Sequence, residues 1–276
     1  MSIKTLPPVL SQIKIHTPPK VNPNSTIAEE ILENQCRDLG IWLPQLKDYT
    51  TMSGHLFPTT SMQRLLTLGL YFNFLFYIDD QYDRHNKDEI NIKQEIYMRK
   101  IFDNCANILL TGEMPNSPHM LFDTCAELRT QFLSLTSEFW LQRFVKSNMS
   151  HLKASTYTIE DIIDNSTDIV EDYINLRILD AGMYPMIDTV EFAQGIILPD
   201  AVIESDCLRE LRVYVARLGS LLNDIFSYTK EIIETNSRFS LICVLEDYCG
   251  YSFEDAVRKT VDIVNDDVLA FNAKAD

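Results

Sequence analysis

The sequence predicts an all-α fold, a single helical bundle packed around one core, and three observations predict it. Apolar residues recur every three or four positions along most of the chain, which is the period of a helix. No convincing run of strict alternation is present, the pattern a half-buried strand needs. Only 8 glycines occur in 276 residues, too few for many tight hairpin turns. The hydrophobic share of 46% and the charged share of 23% are those of a globular chain, long enough to bury a sizeable core.

Five of the 11 prolines, Pro7, Pro8, Pro18, Pro19 and Pro23, fall in residues 1–24. Proline lacks an amide donor and biases the residue before it towards extended backbone, so this segment is read as an extended arm. Wrapped or disordered, it precedes a helical domain over residues 25–276. The remaining prolines, Pro44, Pro58, Pro115, Pro118, Pro185 and Pro199, sit where helices should begin or end. A first helix runs from Ser61 to about Arg84, with Leu65, Leu68, Phe72, Leu75, Phe76 and Asp79 at helical spacing. A second spans Phe122 to His151 on the strength of Leu128, Phe132, Leu135 and Phe139. A third, from about Asp161 to Leu179, is acidic on one side and apolar on the other. Asp206 to about Glu234 and Ser252 to Phe271 complete the set, the last opening on a capping box, Ser252-Phe253-Glu254-Asp255.

Charge narrows the function. The formal net charge is −16, which argues against nucleic acid and against an anionic membrane surface, since both select a cationic footprint. The six cysteines (Cys36, Cys105, Cys125, Cys207, Cys243 and Cys249) show no metal-ligand spacing and read as reduced, mostly buried thiols. No secretory h-region is visible, and the most apolar stretch, Leu65 to Ile78, is too short to span a bilayer. A cytoplasmic protein is expected. The histidines (His16, His55, His85, His119 and His151) are spread too widely to mark a site, and neither a Ser-His-Asp arrangement nor a glycine-rich phosphate loop is present.

Two acidic motifs stand out. Asp79-Asp80-Gln81-Tyr82-Asp83 closes the first apolar helix, and its three aspartates lie within an arc of about 100°. Phe72 and Phe76 precede Asp79 on the same face, so the carboxylates stand at the edge of a core. There they repel one another unless protonated or bound to a cation, and hard oxygen donors suit Mg²⁺. The bland reading is a solvated acidic helix end. In the second motif, Asn223, Ser227 and Glu231 project within about 80°, an amide oxygen, a hydroxyl and a carboxylate in line, with Lys230 about 20° from Asn223. Core polar residues satisfied by one another are the bland reading here.

Together the motifs resemble those of the class I terpene synthases of the microbial type, whose first motif is Asp-Asp-x-x-Asp and whose second is Asn-Asp-x-x-Ser-x-x-x-Glu. Asp79, Asp80 and Asp83 match the first; Asn223, Ser227 and Glu231 match the second, with Lys230 in its usual place. In the family an arginine 46 positions ahead of the Asn senses diphosphate, and Arg177 occupies that position here. Asp180 matches the linker, with Ala181 and Gly182 at the helix break that follows. The resemblance spans about residues 57–271. It implies a helical bundle around a deep apolar cavity, with metal ions at the mouth held by Asp79, Asp80, Asp83, Asn223, Ser227 and Glu231. Three Mg²⁺ ions are expected, with Mn²⁺ as a substitute. The implied substrate is a prenyl diphosphate, farnesyl diphosphate first, ionised and then cyclised or quenched by a carbon–oxygen lyase. Arg177 and Lys230 would bind the diphosphate; Phe57, Phe76, Asp180, Ala181 and Gly182 would border the pocket. A homodimer is compatible with the resemblance.

One departure carries an expectation of its own. Family members end with a helical section bearing an Arg-Tyr pair that closes over the diphosphate, and no Arg-Tyr sequence follows Phe271 here. Closure excludes water from a reactive cation. The alternative is therefore a C-terminally truncated paralogue that keeps the fold without the activity. A chain-elongating prenyltransferase ranks lower, because those enzymes carry aspartate-rich motifs on both helices.

Overall fold

The computed structural model describes residues 8–15, 18–44, 47–82, 92–154, 157, 159, 162, 166–232 and 237–275. A 3-10 turn over Pro8–Gln12 precedes α1 (Ser25–Asp38), α2 (Lys47–Leu56), α3 (Met62–Tyr82), α4 (Ile92–Thr111), α5 (Met120–Leu135) and α6 (Glu138–Ala154). Then follow α7 (Ile169–Asp180), α8 (Met183–Gln194), the short α9 (Asp200–Ile203), α10 (Asp206–Lys230), α11 (Leu241–Cys249) and α12 (Phe253–Ala275). Among the described residues there is no strand, and no helix is long and apolar enough to cross a membrane.

Local chemistry sets the helix ends. Asp168, Ser205 and Ser240 each accept a hydrogen bond from the backbone N–H three residues on, which satisfies an amide that would otherwise lack a partner. Ser252 does the same for Asp255 at 3.2 Å, and its own hydroxyl donates back to the Asp255 carboxylate at 2.7 Å. The expected capping box is therefore closed side chain to side chain. Two expected boundaries are corrected. The segment Phe122 to His151 is two helices, because Thr136 is fully extended (φ −147°, ψ −175°) and Ser137 accepts from the Trp140 N–H to start α6. Phe139 consequently leaves the core face: it is exposed, with the Arg143 guanidinium 5.5 Å from its ring. The helix expected from Asp161 to Leu179 is interrupted at 166–168, after which α7 begins at Ile169 with Asp168 as its cap; residues 161 and 163–165 lie outside the described residues.

A second correction concerns the core, which is divided in two. One cluster joins α1 to α6 and is rich in rings: Trp140 stacks on Phe144 at 4.9 Å, and Phe132 meets Trp140, Phe144, Phe192 and Tyr71 within 6.3 Å. The other joins α7, α10, α11 and α12 and is mostly aliphatic, with Leu241, Ile242, Val244, Val257, Val261 and Val264 buried. The helix α8 is the party wall. Met183, Tyr184 and Ile187 pack into the second cluster, whereas Met186, Phe192 and Ala193 pack into the first. Its buried polar residues bolt it to its neighbours. Glu191 takes a forked pair from Arg143 at 2.6–2.7 Å, and Asp188 accepts from Ser147 at 2.5 Å and pairs with Arg212 at 2.7 Å.

The proline-rich segment is not extended throughout. Its 3-10 turn lays Val9, Leu10 and Ile13 against the second cluster, and Asn265 of α12 bonds Gln12 and Lys14 at 3.0 and 2.9 Å. Of the cysteines, Cys36, Cys105, Cys125 and Cys243 are buried, Cys249 is half-buried and Cys207 is exposed; all are free thiols. Burial pushes the Cys36 thiol up to about 12, so it stays protonated.

Candidate functional site

The second motif lies along the C-terminal half of α10. Asn223 is exposed, Ser227 half-buried and Glu231 half-buried, with Glu231 capping the helix just where the backbone passes into a wider turn at 231–232. Lys230 is the last residue of α10 and is exposed. The Ser227 Oγ is buried yet makes no hydrogen bond. Buried polar atoms are normally paired, so an orphan on a face that also carries an amide oxygen and a carboxylate calls for a missing partner. All three donors are oxygens, none is cationic, and they occupy successive turns of one helix. That donor set fits a hard divalent cation.

Arg177 anchors the neighbouring helix to this face. Its guanidinium donates three ways, from Nη2 to Asn223 Oδ1, from Nη1 to Asp180 and from Nε to Asp224, each at 2.8 Å. The 46-residue spacing thus becomes a direct bond between Arg177 and the first residue of the motif. Asp224 is almost fully buried and also accepts from the Tyr173 hydroxyl and from the Leu241 N–H at the start of α11, both at 2.8 Å. Three donors from two helices, Tyr173 and Arg177 of α7 and Leu241 of α11, converge on one carboxylate of α10. Burial opposes the charge on Arg177, but Asp224, with Tyr173 and Asp180, holds its pKa well above the ordinary arginine value. Burial raises the Tyr173 hydroxyl well above its usual range, and the Asp224 charge adds to it. The Phe239 ring closes this group from the side, 5.8 Å from the guanidinium and 5.4 Å from Tyr173. Tyr173 and Asp224 were not singled out from sequence, although Asp224 lies inside the second motif.

The helix break expected at Ala181 and Gly182 is present. Ala181 ends α7, and Gly182 takes a left-handed conformation (φ +65°) from which α8 starts in a new direction. Only glycine adopts this geometry without a steric penalty. Pro185 falls in the first turn of α8, where its missing N–H has no helical partner to lose.

The first motif is described in part. Along one face of α3, Phe72 is fully buried, Phe76 is half-buried and Asp79 is exposed, so this face climbs from core to solvent within two turns. Asp80 lies in the last turn of α3, and Asp83 is outside the described residues. Among the described residues no group of three carboxylate, histidine or cysteine side chains gathers as a metal cluster. Phe57 is buried and stacks on Phe72 at 6.1 Å, a core position within the first cluster, against which Phe76 also packs. The structure therefore joins Arg177, Asp180 and Asn223 in one bonded group and leaves Phe57 among the core rings.

A groove of about 380 Å³ opens where α11 turns into α12, lined by residues such as Tyr251, Asp255, Arg258, Lys259 and Asp262. It is polar and is not the deep apolar cavity expected between the motif helices. The segments 83–91 and 233–236, which follow directly on α3 and the turn after α10, are outside the described residues.

Comparison with known proteins follows the same residues. A family model described as terpene synthase family 2, C-terminal metal binding, matches residues 70–269. Germacrene A synthase of Nostoc punctiforme is 24% identical over 216 residues, covering 77% of this chain and 64% of that protein. The chain thus spans less than two thirds of that curated relative's length. Two solved structures share the fold. The SVS_A2 protein from ancestral sequence reconstruction gives a TM-score of 0.80 at 18% identity, over 98% of this chain and 81% of that one. Linalool/nerolidol synthase from Streptomyces clavuligerus, in complex with 2-fluorogeranyl diphosphate, gives 0.78 at 15% identity, over 94% and 84%.

Proposed function

The chain belongs to terpene synthase family 2, and from that premise we propose that it ionises a prenyl diphosphate, farnesyl diphosphate first among the candidates, and cyclises or quenches the resulting carbocation with release of diphosphate. The observation that carries this reading is the unpartnered Ser227 Oγ between Asn223 and Glu231, on the helix face that Arg177 already grips through Asn223. Asn223 and Ser227 of α10, Glu231 at its C-cap, Asp79 and Asp80 of α3, and Asp83, which follows in sequence, would hold divalent cations, three Mg²⁺ in the first instance. When bound, these ions supply Lewis-acid stabilisation of the leaving diphosphate.

The chain's own residues do the rest. Arg177 is kept protonated and aimed by Asp224 and Asp180, so it meets diphosphate oxygens with its geometry set in advance and little to reorganise as charge develops. Lys230 adds a second cation at the rim. Phe76, half-buried one turn before Asp79, offers a ring face to a cationic carbon skeleton. Ala181 and Gly182 bring backbone to the pocket wall at the helix break. The alternative of an inactive paralogue finds no support in the relatives matched, which are named as synthases or cyclases.

Purified protein incubated with Mg²⁺ and geranyl, farnesyl or geranylgeranyl diphosphate, followed by gas chromatography of the extract, tests the reading. A terpene formed from farnesyl diphosphate is expected. Release of prenyl alcohol alone, at the background rate for every substrate, would overturn it.

A further inference from the structure

His151 stands on α6 beside the break between α7 and α8, although no sequence pattern links it to either helix. Two contacts place it there. Its Nδ1 lies 3.3 Å from the Leu179 carbonyl oxygen. Its ring also fills the space that a side chain at 182 would need: Cε1 and Nε2 lie 3.3 Å from where a Cβ on Gly182 would sit. A carbonyl oxygen only accepts, so Nδ1 carries the hydrogen. Burial keeps the imidazole below its ordinary pKa, against the opposing pull of the Leu179 and Asp180 carbonyls, so near neutral pH the ring is uncharged.

The Leu179 carbonyl is one of the last four of α7, which have no partner within their own helix. The Gly182 N–H reaches the same oxygen at 3.3 Å. The turn is thus held once by its own backbone and once from α6, and a Cβ at 182 would crowd the ring as well as strain the left-handed backbone. Arg177 and Asp180 act on the same imidazole, one opposing and one favouring its charge.

We infer that His151 is a positioning residue for the diphosphate site, fixing the α7–α8 break so that Gly182 and Arg177 keep a constant relation to one another. The inference rests on the proposed function, in which the break borders the substrate. Leu179 is held by the histidine donor, the ring stands beside the space next to Gly182, and Arg177 lies two residues before Leu179 on the same helix.

The experiment compares His151→Phe, which keeps a ring and loses the donor, with His151→Asn, whose amide nitrogen stands near the position of Nδ1. For His151→Phe the expected result is a fall in kcat of about tenfold or more with KM for the prenyl diphosphate within about twofold, the signature of lost transition-state geometry rather than lost binding. Most of kcat should return in His151→Asn. Hydrogen exchange at Ala181 and Gly182 should speed up in His151→Phe and stay near wild type in His151→Asn. His151→Leu makes the same comparison if the larger ring prevents folding. A folded donor-less variant with unchanged kcat, or with exchange at Ala181 and Gly182 equal to wild type, overturns the inference. A wild-type protein without turnover would sink the proposed function instead, and the exchange comparison would then decide the role of His151 by itself.

Discussion

The two halves of the core are held by different physics. In the α1–α6 half, rings lie against rings, with Trp140, Phe132, Phe144, Phe192 and Tyr71 in mutual contact, and each aromatic pair adds about 0.5–1.5 kcal/mol beyond the area it buries. In the half built from α7, α10, α11 and α12, aliphatic residues surround a buried charge cluster at Asp224, Arg177 and Tyr173. Ring packing tolerates small rearrangements, because dispersion and hydrophobic burial have little directionality. A buried carboxylate with three donors does not, since every partner must be within about 3 Å and aligned. The difference teaches where precision is concentrated. It falls in the half that carries Arg177 and Asn223.

The largest expected effect comes from breaking the charged half. Asp224→Ala leaves Arg177, Tyr173 and the Leu241 N–H short of a partner and should cost about 3–5 kcal/mol, read as a lower urea midpoint. Next comes the hinge between the halves. Gly182→Ala forces an alanine into the left-handed region and against His151, which should cost about 1–2 kcal/mol in the same assay. The ring half should yield less to a volume-conserving change: Leu141→Met, although almost fully buried there, is expected to cost about 1.5 kcal/mol or less because its neighbours can repack. A cost above that of Asp224→Ala would reverse the comparison. The smallest stability effect belongs to Ser227→Ala, which deletes a hydroxyl without a partner and should fall within about 0.5 kcal/mol of wild type. The heat of Mg²⁺ and inorganic diphosphate binding should nevertheless weaken by about tenfold or more in affinity, and calorimetry measures it. Unchanged binding would detach Ser227 from the site.

The sequence made much of this legible, though unevenly. Helices α10 and α12 were readable because their apolar faces keep a long 3.6-residue period, and α3 because it is a long, largely apolar run that is buried on nearly every side. The stop at Thr136 was not, since Leu128, Phe132, Leu135 and Phe139 continue the same period through it. Periodicity says that a helix has an apolar face, but not which neighbour covers it, so one core was expected where two exist. Within the site, Arg177 was found by its distance in sequence from Asn223, and the bond between them followed. Asp224 was hidden inside a motif whose other members drew the attention. His151 lies 31 positions before Gly182 on another helix, and a lone histidine carries no spacing signal at all.

The turn at Pro8–Gln12 has a consequence in time. Its partners on α12 are more than 250 residues away along the chain: Lys14 and Asn265 are 251 apart, and Gln12 and Asn265 are 253. At a synthesis rate of about 5–20 residues per second, roughly ten seconds to a minute pass between the appearance of Val9 and that of the surface it covers. Through that interval Gln12 and Lys14 lack the Asn265 side chain that fixes them. The turn is a clasp fastened last, after every helix between it and its catch has been made.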